Sequence, residues 1–314
     1  MPQMSPSQAR VVDPVLTTVA RGYKNAKAIG MYLFPRVPVQ QRGGKIVQFG
    51  KEDFMLYATG RAPGTNTKRV QFGYLGGNYA LESHSLEGVL PIELMQEAEA
   101  VPGVHLGNAT VRKVQNIISL RLEYAQAQLA TNAGNYGASN KVILSGTSQW
   151  SDLSSGVSDP IKDVEAGKEA IRKQTGQRPN TLVVGASVGA VLKQHPKIID
   201  RIKYTGRDVA TPELLASLFG VDNFVMGDSI YSDASGASND VWGKSAVLAY
   251  TEPGQLADNG APTFGYTYQL GDYPLVEEPY YDRNSKSWIY PVTDEVAPVI
   301  AGADAGYLIS AAIA

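Results

Sequence analysis

An α+β fold is predicted from three features of the sequence. A helical periodicity runs from Asn108 to Ala130, a block of alternating strands and helices follows it, and a proline-bearing segment with a long hairpin precedes it. At 314 residues the chain is long enough for one large or two ordinary domains without disulfides or a structural metal.

Residues 1–42 lack sustained periodicity, and Phe34-Pro35-Arg36-Val37-Pro38 favours extended backbone without ladder donors at its prolines, so this stretch reads as an arm. Gly43-Gly44 opens a second stretch, Lys45 to Tyr79. There Ile46 to Phe49 and Val70 to Tyr74 read as strands around the turn-rich Thr59 to Asn66, a long hairpin. Its centre carries Arg61, Lys68 and Arg69 with no apolar face, so it is expected to project from the body. An isolated two-stranded ribbon is marginal in water and needs a partner surface.

Asn108 to Ala130 is the longest predicted helix. Val111, Val114, Ile118, Leu122, Ala125 and Leu129 share one stripe, Asn108 is the expected N-cap, and Asn132 to Gly134 supplies a stop. Arg112, Lys113 and Arg121 fall off the stripe and read as solvated charge. Further helices are predicted from Asp159 to Thr175, from Ala186 to Gln194 and after Thr211-Pro212-Glu213, with a strand from Thr181 to Val184 between the first two. After a polar loop, Ser232 to Asp240, strands are predicted at Val241 to Tyr250, Thr263 to Gln269, Trp288 to Val292 and Gly306 to Ile313.

The chain is 18% charged, below the roughly 25% of an average globular protein, and holds 32 Gly, 18 Pro and 17 Tyr. Such a surface is suited to facing other subunits. The net charge of −2 conceals an asymmetry: residues 1–80 hold 11 Lys or Arg against 3 Asp or Glu, and residues 231–314 hold 3 against 11. The basic segment is read as meeting the acidic one within a subunit, as binding nucleic acid, or, as the preferred reading, as contacting neighbouring copies. The N-terminal residues do not read as a secretory signal, and no stretch approaches the roughly 20 apolar residues of a membrane span, so cytoplasmic assembly without a membrane is expected.

Signals for chemistry are few. With no cysteine, thiolate metal sites and cysteine nucleophiles are excluded. Gly185-Ala186-Ser187-Val188-Gly189 matches the G-x-S-x-G elbow of hydrolases, between a predicted strand and helix. A triad also needs a histidine, and only His84, His105 and His195 exist. His195 lies at the far end of the helix leaving the elbow, so an α/β serine hydrolase using Ser187 is a remote alternative and the glycines read as a tight turn. No phosphate loop, calcium loop or metal cluster is present, and adjacent acids such as Asp294-Glu295 would point to opposite faces of a strand. No cofactor, metal or catalytic residue is expected.

The order of parts resembles the major capsid proteins of tailed bacteriophages with the Hong Kong 97-like fold. Beyond the arm, hairpin and long helix, the resemblance rests on Arg178 to Gly189 with Leu192 to Ile199, and on Trp288 to Pro291 with Ala303 to Ser310. It implies an N-terminal arm over 1–42 and an extended β-hairpin loop over 43–80. A peripheral domain with the long spine helix would take 81–140 and 263–300, and a mixed α/β axial domain 141–262 and 301–314. It also implies self-assembly through pentamers and hexamers into the icosahedral head of a virion around double-stranded DNA, in the host cytoplasm. Scaffolding, portal and cement proteins are implied partners. Inter-subunit contact is expected from Lys45, Lys51, Arg61, Lys68 and Arg69. No charged helical extension of the scaffolding kind precedes the arm, and Lys51, Lys68 and Asn66 match no crosslinking motif. An encapsulin-type nanocompartment shell protein, built on the same fold, is the alternative.

Overall fold

The computed structural model describes residues 28–46, 56, 59–60, 77–99, 106–154, 156–203, 210–252 and 263–314. Of the predicted hairpin strands only Ile46 falls among them.

In chain order the elements are β1 (Arg36–Val39), β2 (Gly43–Lys45), β3 (Asn78–Ala80), β4 (Glu82–Pro91), α1 (Ile92–Glu99), α2 (Leu106–Thr131), β5 (Lys141–Ile143), α3 (Pro160–Thr175) and β6 (Thr181–Gly185). There follow α4 (Ala186–Gln194), α5 (Pro196–Ile202), α6 (Pro212–Phe219), β7 (Asn223–Gly227), β8 (Ile230–Ser232), β9 (Ser238–Asp240) and β10 (Ala246–Ala249). The chain finishes with β11 (Gly265–Leu270), β12 (Leu275–Val276), β13 (Tyr280–Asp282), β14 (Ser287–Ile300) and β15 (Gly306–Ser310).

One sheet is organised by β14, which is far longer than the predicted Trp288 to Val292. Along one edge it pairs antiparallel with β4, from Ser287 opposite Pro91 to Val296 opposite Glu82. Its other edge is shared by β13, β12 and β11, and β1 extends the sheet parallel to β11. The second sheet runs β5-β15-β10-β6-β7, antiparallel at its centre and parallel at both margins. Its central strands β6 and β10 are buried on both faces, as their unbroken apolar sequences require.

Helices cover one face of the second sheet. Leu182, Val184, Leu248 and Ile309 pack there with Val164 and Ile171 of α3, Val188 and Leu192 of α4, Ile198 of α5 and Leu215 of α6. The caps follow the sequence cues. Asp159 accepts from the Lys162 amide at 3.1 Å, Pro160 opens α3, and Gly176 closes it at φ 70°. Thr211, Pro212 and Gly220 do the same for α6.

The spine of the molecule is α2. Val111, Val114 and Ile118 of its first half pack on Val276 and Val292 of the β14 sheet. Ala127 and Ala130 of its second half pack against the other face of the five-stranded sheet, through Val183, Val247 and Leu308. One helix therefore bridges both sheets. Asn108 is not its cap, since the helix already begins at Leu106 and the Thr110 hydroxyl donates to the Leu106 carbonyl. The polar stretch expected to be a loop forms the hairpin β8–β9, with Ile230 opposite Asp240. The strand predicted from Val241 to Tyr250 shrinks to β10, and the last strand ends at Ser310. Among the described residues no helix is long and apolar enough to cross a membrane.

Candidate subunit interface

The described ends of the expected arm and of the expected hairpin are each fastened to the rest of the subunit. In the stretch expected to be the arm, Ile29, Leu33 and Phe34 are buried with Trp242, Phe264 and Ala127. The buried Glu123 of α2 accepts three hydrogen bonds there. Its Oε1 takes the Ile29 amide at 3.0 Å and the Trp242 indole N–H at 2.9 Å, and its Oε2 takes the Ser229 hydroxyl at 3.0 Å. One turn on, the Gln126 amide donates to Thr267 Oγ1 at 2.9 Å, and the Thr267 hydroxyl donates to the Phe34 carbonyl. Gly30 lies so close to Gln126 that a Cβ would overlap that side chain. The helix thus grips arm backbone at two points through fully partnered buried groups.

The hairpin root is the ladder between β2 and β3, with Gly43 opposite Ala80 and Lys45 opposite Asn78, extended by the Ile46 amide donating to the Gly77 carbonyl. Ile46 is buried with Val37, Tyr268 and Ala301, and Tyr79 stacks on Tyr268 at 4.3 Å between ring centroids. Burial pushes the Tyr268 phenol up to about 12. The base of the predicted hairpin therefore does have a core beneath it. Arg42 fastens it further, its Nε and Nη2 donating to both oxygens of Glu295 on β14 at 2.7 and 3.0 Å. That pairing, helped by Tyr273, holds Glu295 below the ordinary carboxylate range despite its burial. Asp294 points to the other face of β14, takes a bond from Gln269, and is raised by burial.

Of the cations expected at subunit contacts, Lys45 lies on β2, exposed and without an acid partner among the described residues. Lys51, Arg61, Lys68 and Arg69 lie outside the described residues. Among the described residues the charge asymmetry is met within the subunit where Arg42 of the basic segment pairs with Glu295 of the acidic one. The sequence did not single out Glu123. A lone acid among helix residues of the buried side was the available signal.

The G-x-S-x-G turn has a packing role. A Cβ on Gly185 would lie 1.9 Å from the Gly243 carbonyl oxygen, and one on Gly189 would lie 2.5 Å from the Met226 sulfur. His195 is committed elsewhere. Its Nε2 meets the Ser158 hydroxyl at 3.2 Å, while its Nδ1 accepts from the Lys197 amide at the start of α5. Ser187 has no base to activate it through this histidine. Among the described residues no cluster of His, Asp and Glu suits a metal ion.

These features belong to a protein that makes its strongest statements about shape rather than chemistry, and its relatives agree. The family described as Phage major capsid protein E matches residues 111–293. A major capsid protein of Burkholderia phage BcepMu is 41% identical over 308 residues, covering 97% of both chains. The chain belongs to the phage major capsid protein family. The capsid subunit also resembles the crystal structure of a phage-related protein from Bordetella bronchiseptica, at 45% identity and a TM-score of 0.81, covering 97% of this chain and 98% of that one. At 13% identity and a TM-score of 0.54, covering 92% of this chain and 88% of the other, it shares the fold of a protein in the mature capsid of bacteriophage PhiM1. It is a structural component of the virion, and its copies assemble into the viral shell.

Proposed function

We infer that the capsid subunit has the Hong Kong 97-like fold and closes into an icosahedral head around double-stranded DNA. The observation that carries this is the 41% identity to a phage major capsid protein over nearly the whole of both chains. In this reading 1–42 is the arm and 43–80 the extended loop. The peripheral domain is 81–140 with 263–300, and the axial domain 141–262 with 301–314. The sheet organised by β14 then belongs to the peripheral domain and the five-stranded sheet to the axial one, with α2 as the beam between them.

Arm and loop reach neighbouring copies from roots that the subunit holds rigidly. Each inter-subunit contact is weak by itself, but every copy makes many, so the shell is held by multivalency. Lys45, Lys51, Arg61, Lys68 and Arg69 meet acidic residues of an adjacent copy. Assembly takes place in the host cytoplasm, with scaffolding, portal and cement proteins as partners, and the subunit is not an enzyme. The phage origin of the relatives favours a head over a nanocompartment.

Electron microscopy of the full chain after size-exclusion chromatography, at low and high salt, tests the reading. Closed shells, capsomers of five or six copies, or tubes are expected. A monodisperse monomer or dimer at high concentration in both salts would count against self-sufficient assembly.

A further inference from the structure

The exposed face of α2 presents cations that make no ion pair among the described residues. Lys113, Ile117 and Arg121 follow four-residue steps, and all three are exposed, with Arg112 exposed on the flank beside Lys113. The only acid on this helix is Glu123, which is buried and committed to the arm root. Among the described residues no ion pair is made by Arg112, Lys113 or Arg121. The contrast with α3 is direct, since there Lys168 pairs with Glu165, and Arg172 and Lys173 with Glu169. A helix that neutralises its own cations gains a solvated face, whereas one that leaves three of the same sign in a row keeps a local positive field. This occurs on a chain whose net charge is −2.

We propose that Arg112, Lys113 and Arg121 form a sequence-independent contact for the phosphate backbone of enclosed nucleic acid. The proposal rests on the reading that the shell surrounds DNA. From Arg112 to Arg121 the row spans about 14 Å at 1.5 Å per residue. Duplex DNA carries one charge per roughly 1.7 Å of axis, so a segment of that length offers more phosphates than three cations can meet. Neither base edges nor a groove-shaped element is involved, so affinity comes from counterion release and depends on salt. Ile117, between the two cations, serves as the internal control. An interface with another copy would use its exposed apolar side chain, and a phosphate contact would not.

The experiment measures binding of the full chain to a short random-sequence duplex by fluorescence anisotropy over a range of salt. It compares the wild type, the triple variant Arg112→Gln, Lys113→Gln, Arg121→Gln, the single variant Lys113→Gln, and Ile117→Ser, with particle formation followed by microscopy. Three phosphate contacts steepen the slope of log K against log salt by about 2.7, a share of roughly 40-fold between about 50 and 200 mM. The triple variant is expected to lose that share, the single variant about a third of it, and Ile117→Ser none, with particles intact in all. An unchanged slope in the triple variant overturns the proposal. So does loss of particles on Ile117→Ser, which assigns the row to contact between copies. The DNA content of particles tests enclosure separately. Empty particles with the slope difference intact would sink enclosure alone, and filled particles with no slope difference would sink the α2 row alone.

Discussion

Glu123 illustrates how one buried side chain can fasten three separate segments, at Ile29, Ser229 and Trp242. Replacing it with Ala strips the acceptor from Ile29, Trp242 and Ser229, all of them buried. A buried donor left without a partner costs about 1–3 kcal/mol, so the loss at Ile29 and Trp242 alone should lower the stability of Glu123→Ala in urea by at least about 2 kcal/mol. Glu123→Gln keeps one oxygen for Ile29 and Trp242 and turns its amide toward the Ser229 oxygen, so its loss should be much smaller. His195 is a second residue with a measurable signature. Burial, then the charge of Lys197, lowers its pKa, with Asp159 opposing. The unfolded chain takes up a proton near about 6.5 while the folded one resists, so stability is fully present above that value and declines as pH falls below it. Urea midpoints should drop between about pH 7.5 and 5 in the wild type, and the variant His195→Gln should abolish that drop.

At the scale of elements, α2 and β4 meet where Gly88 lets helix and strand approach. A Cβ on Gly88 would lie 2.4 Å from Thr110 Cγ2 and 3.0 Å from Val114 Cγ2. Gly88→Val should therefore cost about 1–3 kcal/mol or more in thermal unfolding by overpacking. Val89→Thr, on a side chain 56% exposed, should change stability by no more than about 0.5 kcal/mol. The helix α2 was legible because its apolar stripe, Val111 to Leu129, repeats over about five turns. Its start was misread because Asn108 offers a capping side chain while the Thr110–Leu106 bond shows the turn already formed. The hairpin β8–β9 was invisible because its turn is made by Asp233, whose Oδ1 takes the amides of Ser235 and Ala237, residues that otherwise spell a loop. In β4, Glu82 to Pro91 carries no clean alternation, and the strand exists because β14 pairs with it along ten residues.

At the scale of the whole molecule, the uneven charge is the feature to test for how copies meet. The Arg42–Glu295 pair consumes one complementary contact inside the subunit, while Lys45 is exposed and makes no ion pair among the described residues. Reversing Arg61 and Lys68 together to Glu should abolish or slow particle formation in light scattering while circular dichroism stays unchanged. Normal particles from that double variant would remove the hairpin cations from the interface. Because α2 packs against both sheets, particle geometry is a second readout to follow in the Glu123 variants.

The amino-acid sequence by itself determined α3, α4 and α6, whose starts and stops are local, the buried strand that begins at Thr181, and the absence of any thiol chemistry, whereas α5 went unpredicted. Its order of parts also led to the capsid family. Only the tertiary structure decided that Glu123 would take the Ile29 amide, that Arg42 would reach Glu295 across 253 residues of chain, and that Gln269 would donate to Asp294. Local signals report capping, turn chemistry and periodicity, which depend on a few neighbours. A buried carboxyl or an unpaired cation acquires meaning only when distant segments are brought to it, and that is settled by packing.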